Sequence, residues 1–184
     1  MEQGETEEDF MKDALAIHRW LLAHQVHHEI VRLPRPMTCA EELPETVSAE
    51  PGRCVVVTVF DVATRIGSEV VVAVVATAAT PPQPGVVGGL LGARQVRPAP
   101  AFLVNSATDY TDRLVCPLLL PETLPVLIDD RLVADDMAVF TATGERHTAL
   151  CLRALDLLNL LTGKTVDLRT PRPRGTREAV APRH

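Results

Sequence analysis

Three features of this 184-residue chain predict a mixed α/β (α+β) domain. Strands outnumber helices in the hydrophobic pattern, the two do not alternate regularly, and the longest apolar runs are β-branched. The segments 53–60 (RCVVVTVF) and 69–77 (EVVVAVVAT) are apolar almost throughout, as strands covered on both faces are. Aromatic residues make up only 3% of the chain, so Val, Ala and Leu must build the core. No Gly-rich phosphate loop follows the first strand, which disfavours a doubly wound sheet. The expected architecture is a curved mixed sheet packed by an N-terminal and a C-terminal helix. The domain is expected over 8–168, with a disordered Pro/Arg-rich tail at 169–184.

Each element has a local cause. Between Glu8 and Gln25 the residues Phe10, Ala14, Ile17, Leu21 and Leu22 recur at helical spacing behind an acidic first turn. Residues 28–33 (HEIVRL) read as a short strand closed by Pro34 and Pro36. Thr38, with Glu41 three residues on, forms a capping pattern that predicts a short helix over 38–42. Pro51-Gly52 turns the chain into the two long strands, which a polar link joins as a hairpin. A weak helix is expected at 86–91, spoiled by Gly85, Gly88 and Gly89. A short strand at 94–97, a brief helix at 101–104 and a polar loop at 105–114 follow. Strands are expected at 124–128, 137–141 and 149–152, then a helix at 153–162 ended by Gly163 in the C′ position. A last short strand is expected at 166–168.

Composition narrows the function. The net charge of −6 argues against broad nucleic-acid binding, so no DNA partner is expected. No long uncharged apolar run occurs and the acidic start is not a signal peptide, so no membrane association and a cytoplasmic location are expected. The dispersed cysteines Cys39, Cys54, Cys116 and Cys151 form no CxxC pair and read as reduced, the three in apolar contexts as small core fillers. His24, His27 and His28 supply too few convergent ligands for a metal, and no cofactor is expected. Lys12 and Lys164 are the only lysines, against sixteen arginines.

The order of segments carries a resemblance over residues 12–168. The helix at 14–25 with His28-Glu29-Ile30-Val31, the stretch Thr38-Cys39-Ala40-Glu41-Glu42 and the approach Pro51-Gly52-Arg53-Cys54-Val55 come first. Leu90-Leu91-Gly92-Ala93-Arg94-Gln95-Val96-Arg97, the loop from Thr108 to Pro117 and the C-terminal 125–163 complete it. This succession resembles the YbaK/aminoacyl-tRNA deacylase domain family. The resemblance implies a YbaK/ProX-like fold and trans-editing hydrolysis of an amino acid wrongly esterified to tRNA, with the aminoacylated acceptor end as partner. In that family a strand lysine organises the tRNA end. Here its position falls on Val56, give or take a residue, and no neighbour carries a cation. Where loop glycines are expected, the chain has Asp112, Arg113, Leu114 and Val115.

Candidate site residues follow. Asp129 matches the family's aspartate or only caps its turn with Asp130. Arg146 and Arg113 are the replacement cations or surface arginines. Asn105, Thr108 and Asp109 line one rim or cap a loop. Thr143, Gly144 and Thr148 form the other rim, with Gly144 allowing close approach of a ligand or simply making a turn. Two readings stand: a deacylase holding the ester with Asp129 and Arg146, or a catalytically inactive member that binds an amino acid, an aminoacyl ester or a protein.

Overall fold

The computed structural model describes residues 11–170. Its axis is a hairpin of β2 (Cys54–Thr64) and β3 (Glu69–Thr77), paired antiparallel from Val55↔Thr77 to Ala63↔Glu69. Gly67 turns this hairpin at φ 87°, a conformation costly for other residues. Around it an eight-stranded sheet runs in the order β1 (His28–Arg32), β7 (Thr148–Arg153), β6 (Ala138–Ala142), β2, β3, β5 (Val126–Asp129) and β8 (Lys164–Val166). The remaining strand, β4 (Ala93–Pro98), also pairs with β2. The pairs β2·β6, β3·β5 and β5·β8 are parallel and the others antiparallel, which makes the sheet mixed.

β2 is buried on both faces, as its unbroken apolar sequence requires. Val55, Val57 and Val59 pack into a core with Ile17 and Leu21 of α1 (Ala14–Ala23) and Leu157 of α5 (Ala154–Leu160). Cys54 and Val56 face a second core with Leu33, Met37 and Leu43, while Phe60 and Val62 face a third with Val72, Val74 and Val87 of α3 (Pro84–Leu91). Each fully buried valine contributes about 1.5 kcal/mol or more of transfer free energy.

Several boundaries differ from the sequence expectation for identifiable reasons. α1 starts at Ala14 because Asp13 caps it, its carboxylate accepting the Ala16 N–H at 2.8 Å. Thr38 and Glu41 form no capping box: Thr38 bonds Glu42 instead, and a 3-10 turn at Ala40–Glu42 leads into α2 (Leu43–Thr46). The brief helix after Pro100 continues as α4 (Ala101–Thr108), since Thr108 returns its hydroxyl to the Val104 carbonyl at 2.7 Å. Gly163 does not cap α5, which ends in extended Leu161. A Cβ on Gly163 would stand 2.7 Å from the Val126 carbonyl oxygen, so this glycine is there for close approach to β5. The last strand lies at Lys164–Val166, two residues before its expected place. The acidic head and most of the basic tail lie outside the described residues.

One feature of the sheet positions the site. β6 accompanies β2 only at Cys54↔Phe140 and Val55↔Thr141, and β4 joins the same edge from Phe60↔Pro98 onward. Between them, residues 56–59 of β2 have no strand beside them on that edge.

Candidate functional site

A cleft of about 380 Å³ opens at this gap. Its wall is Val57, Thr58 and Val59 of β2, continued by Pro98 and Ala99 at the end of β4 and by Val104 of α4. Opposite stand Glu41 from the 3-10 turn and Asp112, Arg113 and Val115 from the loop after α4. The result is an apolar wall facing two acids and one guanidinium.

The loop is held in a conformation its sequence does not favour. Arg113 has φ 65° and Leu119 φ 59°, left-handed values that cost a non-glycine residue roughly 1–2 kcal/mol. Surrounding bonds impose them: Ala40 N–H donates to the Arg113 carbonyl at 2.8 Å, Gly144 N–H to Leu114 at 2.8 Å, and Lys12 Nζ to Leu119. The buried Tyr110 hydroxyl donates to the Leu118 carbonyl at 2.8 Å. Arg113 thus occupies, at one of the positions where glycine was expected, a backbone conformation that glycine would adopt without strain.

The side chains facing the cleft are uncommitted. Among the described residues Glu41, Asp112 and Arg113 form no ion pair, whereas Arg35, Arg53, Arg97, Arg131, Arg153 and Arg169 each pair with an acid. A half-buried carboxylate and an unpaired guanidinium on one rim leave room for a ligand carrying both charges.

The residues singled out from sequence divide into three groups. Arg113 reaches the cleft. Asn105, Thr108 and Asp109 shape it from behind: Asn105 Oδ1 accepts the Asp112 N–H at 2.8 Å, Thr108 accepts the Tyr110 N–H at 3.1 Å, and Asp109 pairs with Lys12 at 3.2 Å. The rest lie elsewhere. Thr143, Thr148 and Gly144 pack against the start of α1, where Thr143 and Thr148 share a hydroxyl bond at 2.7 Å and Thr148 donates to Glu145 at 3.0 Å. Arg146 donates to the Met37 carbonyl at 3.1 Å and anchors the turn after β1. Asp129 is 1% exposed and clasped by Arg131, with Nη2 to Oδ2 at 2.7 Å, so it caps the end of β5.

Val56 is 6% exposed and lies among Cys54, Leu114 and Ala149, so the position assigned to the missing lysine does not form the cleft wall. Thr58, two residues on along the same face of β2, does. No lysine lines the cleft; Lys12 lies beneath the loop, bonded to Leu119 and Asp109. Sequence reading missed Glu41 and Asp112. Glu41 was assigned to a helix cap, and Asp112 was noted only as the absence of a glycine; an acid beside a loop cation was the available signal.

All four thiols are weak nucleophiles. Burial pushes Cys54 up to about 11 and Cys116 up to about 12, and burial with the nearby Glu41 and Glu42 carboxylates raises Cys39. Burial, with Glu29 adding, also raises Cys151. At pH 8 the folded protein should react with a thiol reagent far more slowly than free cysteine. Prompt labelling of one thiol by mass spectrometry would contradict this. Elsewhere, His28 bonds His18 at 2.8 Å and the Val26 carbonyl, and His24 bonds the Trp20 carbonyl. Among the described residues no cluster of His, Cys, Asp or Glu is placed to hold a metal, and no helix is long and apolar enough to cross a membrane.

No curated protein matches the sequence. Solved structures that share the fold include the following three. Hypothetical protein APE2540 is 20% identical, with TM-score 0.67, covering 83% of this chain and 97% of its own. A scaffold protein from epitope backbone grafting by computational design is 19% identical, with TM-score 0.67, over 91% of this chain and all of that one (100%). A proposed trans-editing enzyme for prolyl-tRNA synthetase is 24% identical, with TM-score 0.63, over 79% of this chain and 88% of its own. Residues 34–160 match the family model described as the aminoacyl-tRNA editing domain, a span that contains the whole cleft and most of the sheet, and the chain belongs to that family.

Proposed function

We propose that the cleft binds the aminoacylated 3′ end of a tRNA and hydrolyses the ester. The observation that carries this is the pairing of an apolar strand wall with Glu41, Asp112 and Arg113, all without ion-pair partners among the described residues. An aminoacyl ester offers matching chemistry. Its α-ammonium suits Glu41, its side chain suits the valine wall, and the phosphate of the terminal nucleotide suits Arg113. Asp112 takes a proton from the attacking water. The C–O bond to the ribose then breaks with its electron pair on the ribose oxygen, which receives that proton. The likeness to a trans-editing enzyme supports acting in trans.

A deacylation assay on a panel of mischarged tRNAs tests the reading. Asp112→Asn is expected to lower kcat/KM by about 10²-fold or more, as loss of a general base does. Arg113→Gly keeps the backbone conformation and removes only the guanidinium, and is expected to cost roughly tenfold, mostly in KM. A larger loss in Arg146→Ala than in Arg113→Gly would move the phosphate contact to the Thr143–Thr148 loop. If no member of the panel is hydrolysed faster than in buffer, the enzyme reading fails. Tight binding of the same panel would leave a binding module.

A further inference from the structure

The gap in β2's edge exposes main chain as well as side chains. The Cys54 carbonyl accepts Ala78 N–H and Thr64 N–H donates to Ser68, so the even positions of β2 direct their amides to β3. The Val59 carbonyl accepts Ala99 N–H, so the odd positions face the opposite edge. On that edge the β6 ladder ends at Val55 and the β4 ladder begins at Phe60. The N–H and C=O of Val57 therefore have no ladder partner, and Val57 lines the cleft. A main-chain N–H and C=O that face a cleft without a protein partner are free to bond a ligand there.

An aminoacyl ester has the two groups that this edge lacks. Its α-nitrogen and its carbonyl flank one tetrahedral carbon, as in a peptide residue. In an antiparallel ladder a hydrogen-bonded pair exchanges both bonds between one residue and the residue opposite.

We propose that the substrate's aminoacyl group docks on Val57 as a one-residue strand, its carbonyl oxygen accepting the Val57 N–H and its α-ammonium donating to the Val57 C=O. This rests on the function proposed above, and it assigns the group that faces the carbonyl in a cleft without a lysine. As water adds to the carbonyl carbon, the π pair moves onto oxygen and the Val57 N–H bonds the oxyanion. The pair returns as the ribose oxygen leaves with the bonding electrons and the proton held by Asp112. Directly opposed residues in such a pair project their side chains to the same face. An L-aminoacyl group therefore sends its side chain to the Val57 face, against Val104 and Val115, while a D-isomer turns it to the opposite face.

Two measurements test this. Val57→Pro deletes the N–H at a position that makes no ladder bond, where proline is tolerated. It should lower kcat by about 10²–10³-fold, the loss typical of one oxyanion donor, while circular dichroism stays unchanged. In parallel, the ¹⁵N-labelled parent protein is titrated with 3′-deoxy-3′-(L-alanylamino)adenosine, a hydrolysis-resistant amide. The Val57 amide resonance should shift downfield. The propionyl counterpart, which lacks the α-amine, should bind at least roughly tenfold more weakly, the loss of one charge-assisted bond. The D-alanyl isomer should also bind more weakly because its methyl group leaves the Val104 and Val115 side. If Val57→Pro does not fold, the resonance decides alone. Analogue binding with the Val57 amide unmoved, or full activity in folded Val57→Pro, overturns the docking mode and leaves the deacylase reading standing. Absence of both analogue binding and hydrolysis in the parent protein overturns both.

Discussion

Replacing Arg131 with alanine should destabilise the protein by about 3 kcal/mol, the low end of the range for stranding a buried carboxylate, since Arg131 itself is 28% exposed. Asp129 is 1% exposed, and Arg131 supplies its guanidinium contacts through Nε to Oδ1 at 2.9 Å and Nη2 to Oδ2 at 2.7 Å. The Arg131 main-chain N–H adds a bond at 3.0 Å, which alanine would keep. The carboxylate would stay buried at the end of β5 with a single donor, in a domain whose total stability is of order 5–15 kcal/mol. Urea denaturation should therefore show a midpoint lower by roughly 2 M. The partner experiment is Asp129→Asn with Arg131→Ala. Because most of the penalty is a stranded charge, the double variant should recover more than half of the loss. A single variant that costs under about 1 kcal/mol would show that solvent reaches Asp129. Specific activity per folded molecule should change little, since neither residue lines the cleft.

Gly144→Ala should lower the melting temperature by about 10 °C. Gly144 has φ 90°, and a Cβ there would stand 2.6 Å from the Lys12 carbonyl oxygen and 2.9 Å from the Tyr110 ring. The left-handed conformation costs alanine roughly 1–2 kcal/mol. Overlap with fixed neighbours adds about 1–3 kcal/mol. Neither neighbour yields easily: Tyr110 is fully buried with its hydroxyl bonded to Leu118, and Lys12 N–H donates to the Asp109 carbonyl at 2.7 Å. At this chain length each kcal/mol moves the midpoint by about 2–4 °C. Tyr110 also supports the loop carrying Asp112 and Arg113, so activity should fall beyond the loss of folded protein. An unchanged calorimetric midpoint would refute the close packing. Gly144 is packed against Lys12 and Tyr110 of the chain itself, too closely for a side chain to fit between them.

Much of the fold was legible because its causes are local. β3 spans the residues its unbroken run of Val and Ala indicated, and Pro51-Gly52 marks the entry to β2. Errors came where a distant partner overrides a local signal. Gly163 looks like a helix stop, yet Val126 explains it, and Thr38 looks like one half of a capping box, yet it bonds Glu42. The candidate site was read less well. The loop cation at Arg113 could be found from sequence, but Arg146 carries the same charge and is spent on the Met37 carbonyl. Nothing local distinguishes the two.

The sequence by itself determined that β-branched strands would be buried on both faces, that no lysine stood on the signature strand, and that the segments follow the order of an editing domain. Hydrophobic period, turn chemistry and residue identity are properties of neighbours along the chain. Tertiary structure alone decided which side chains share a cleft. Glu41, Val57 and Asp112 meet because β6 stops beside Val55 and β4 starts beside Phe60. That spacing is set by strand register and by the bonds holding Arg113 in a left-handed turn, and it is written in no single segment.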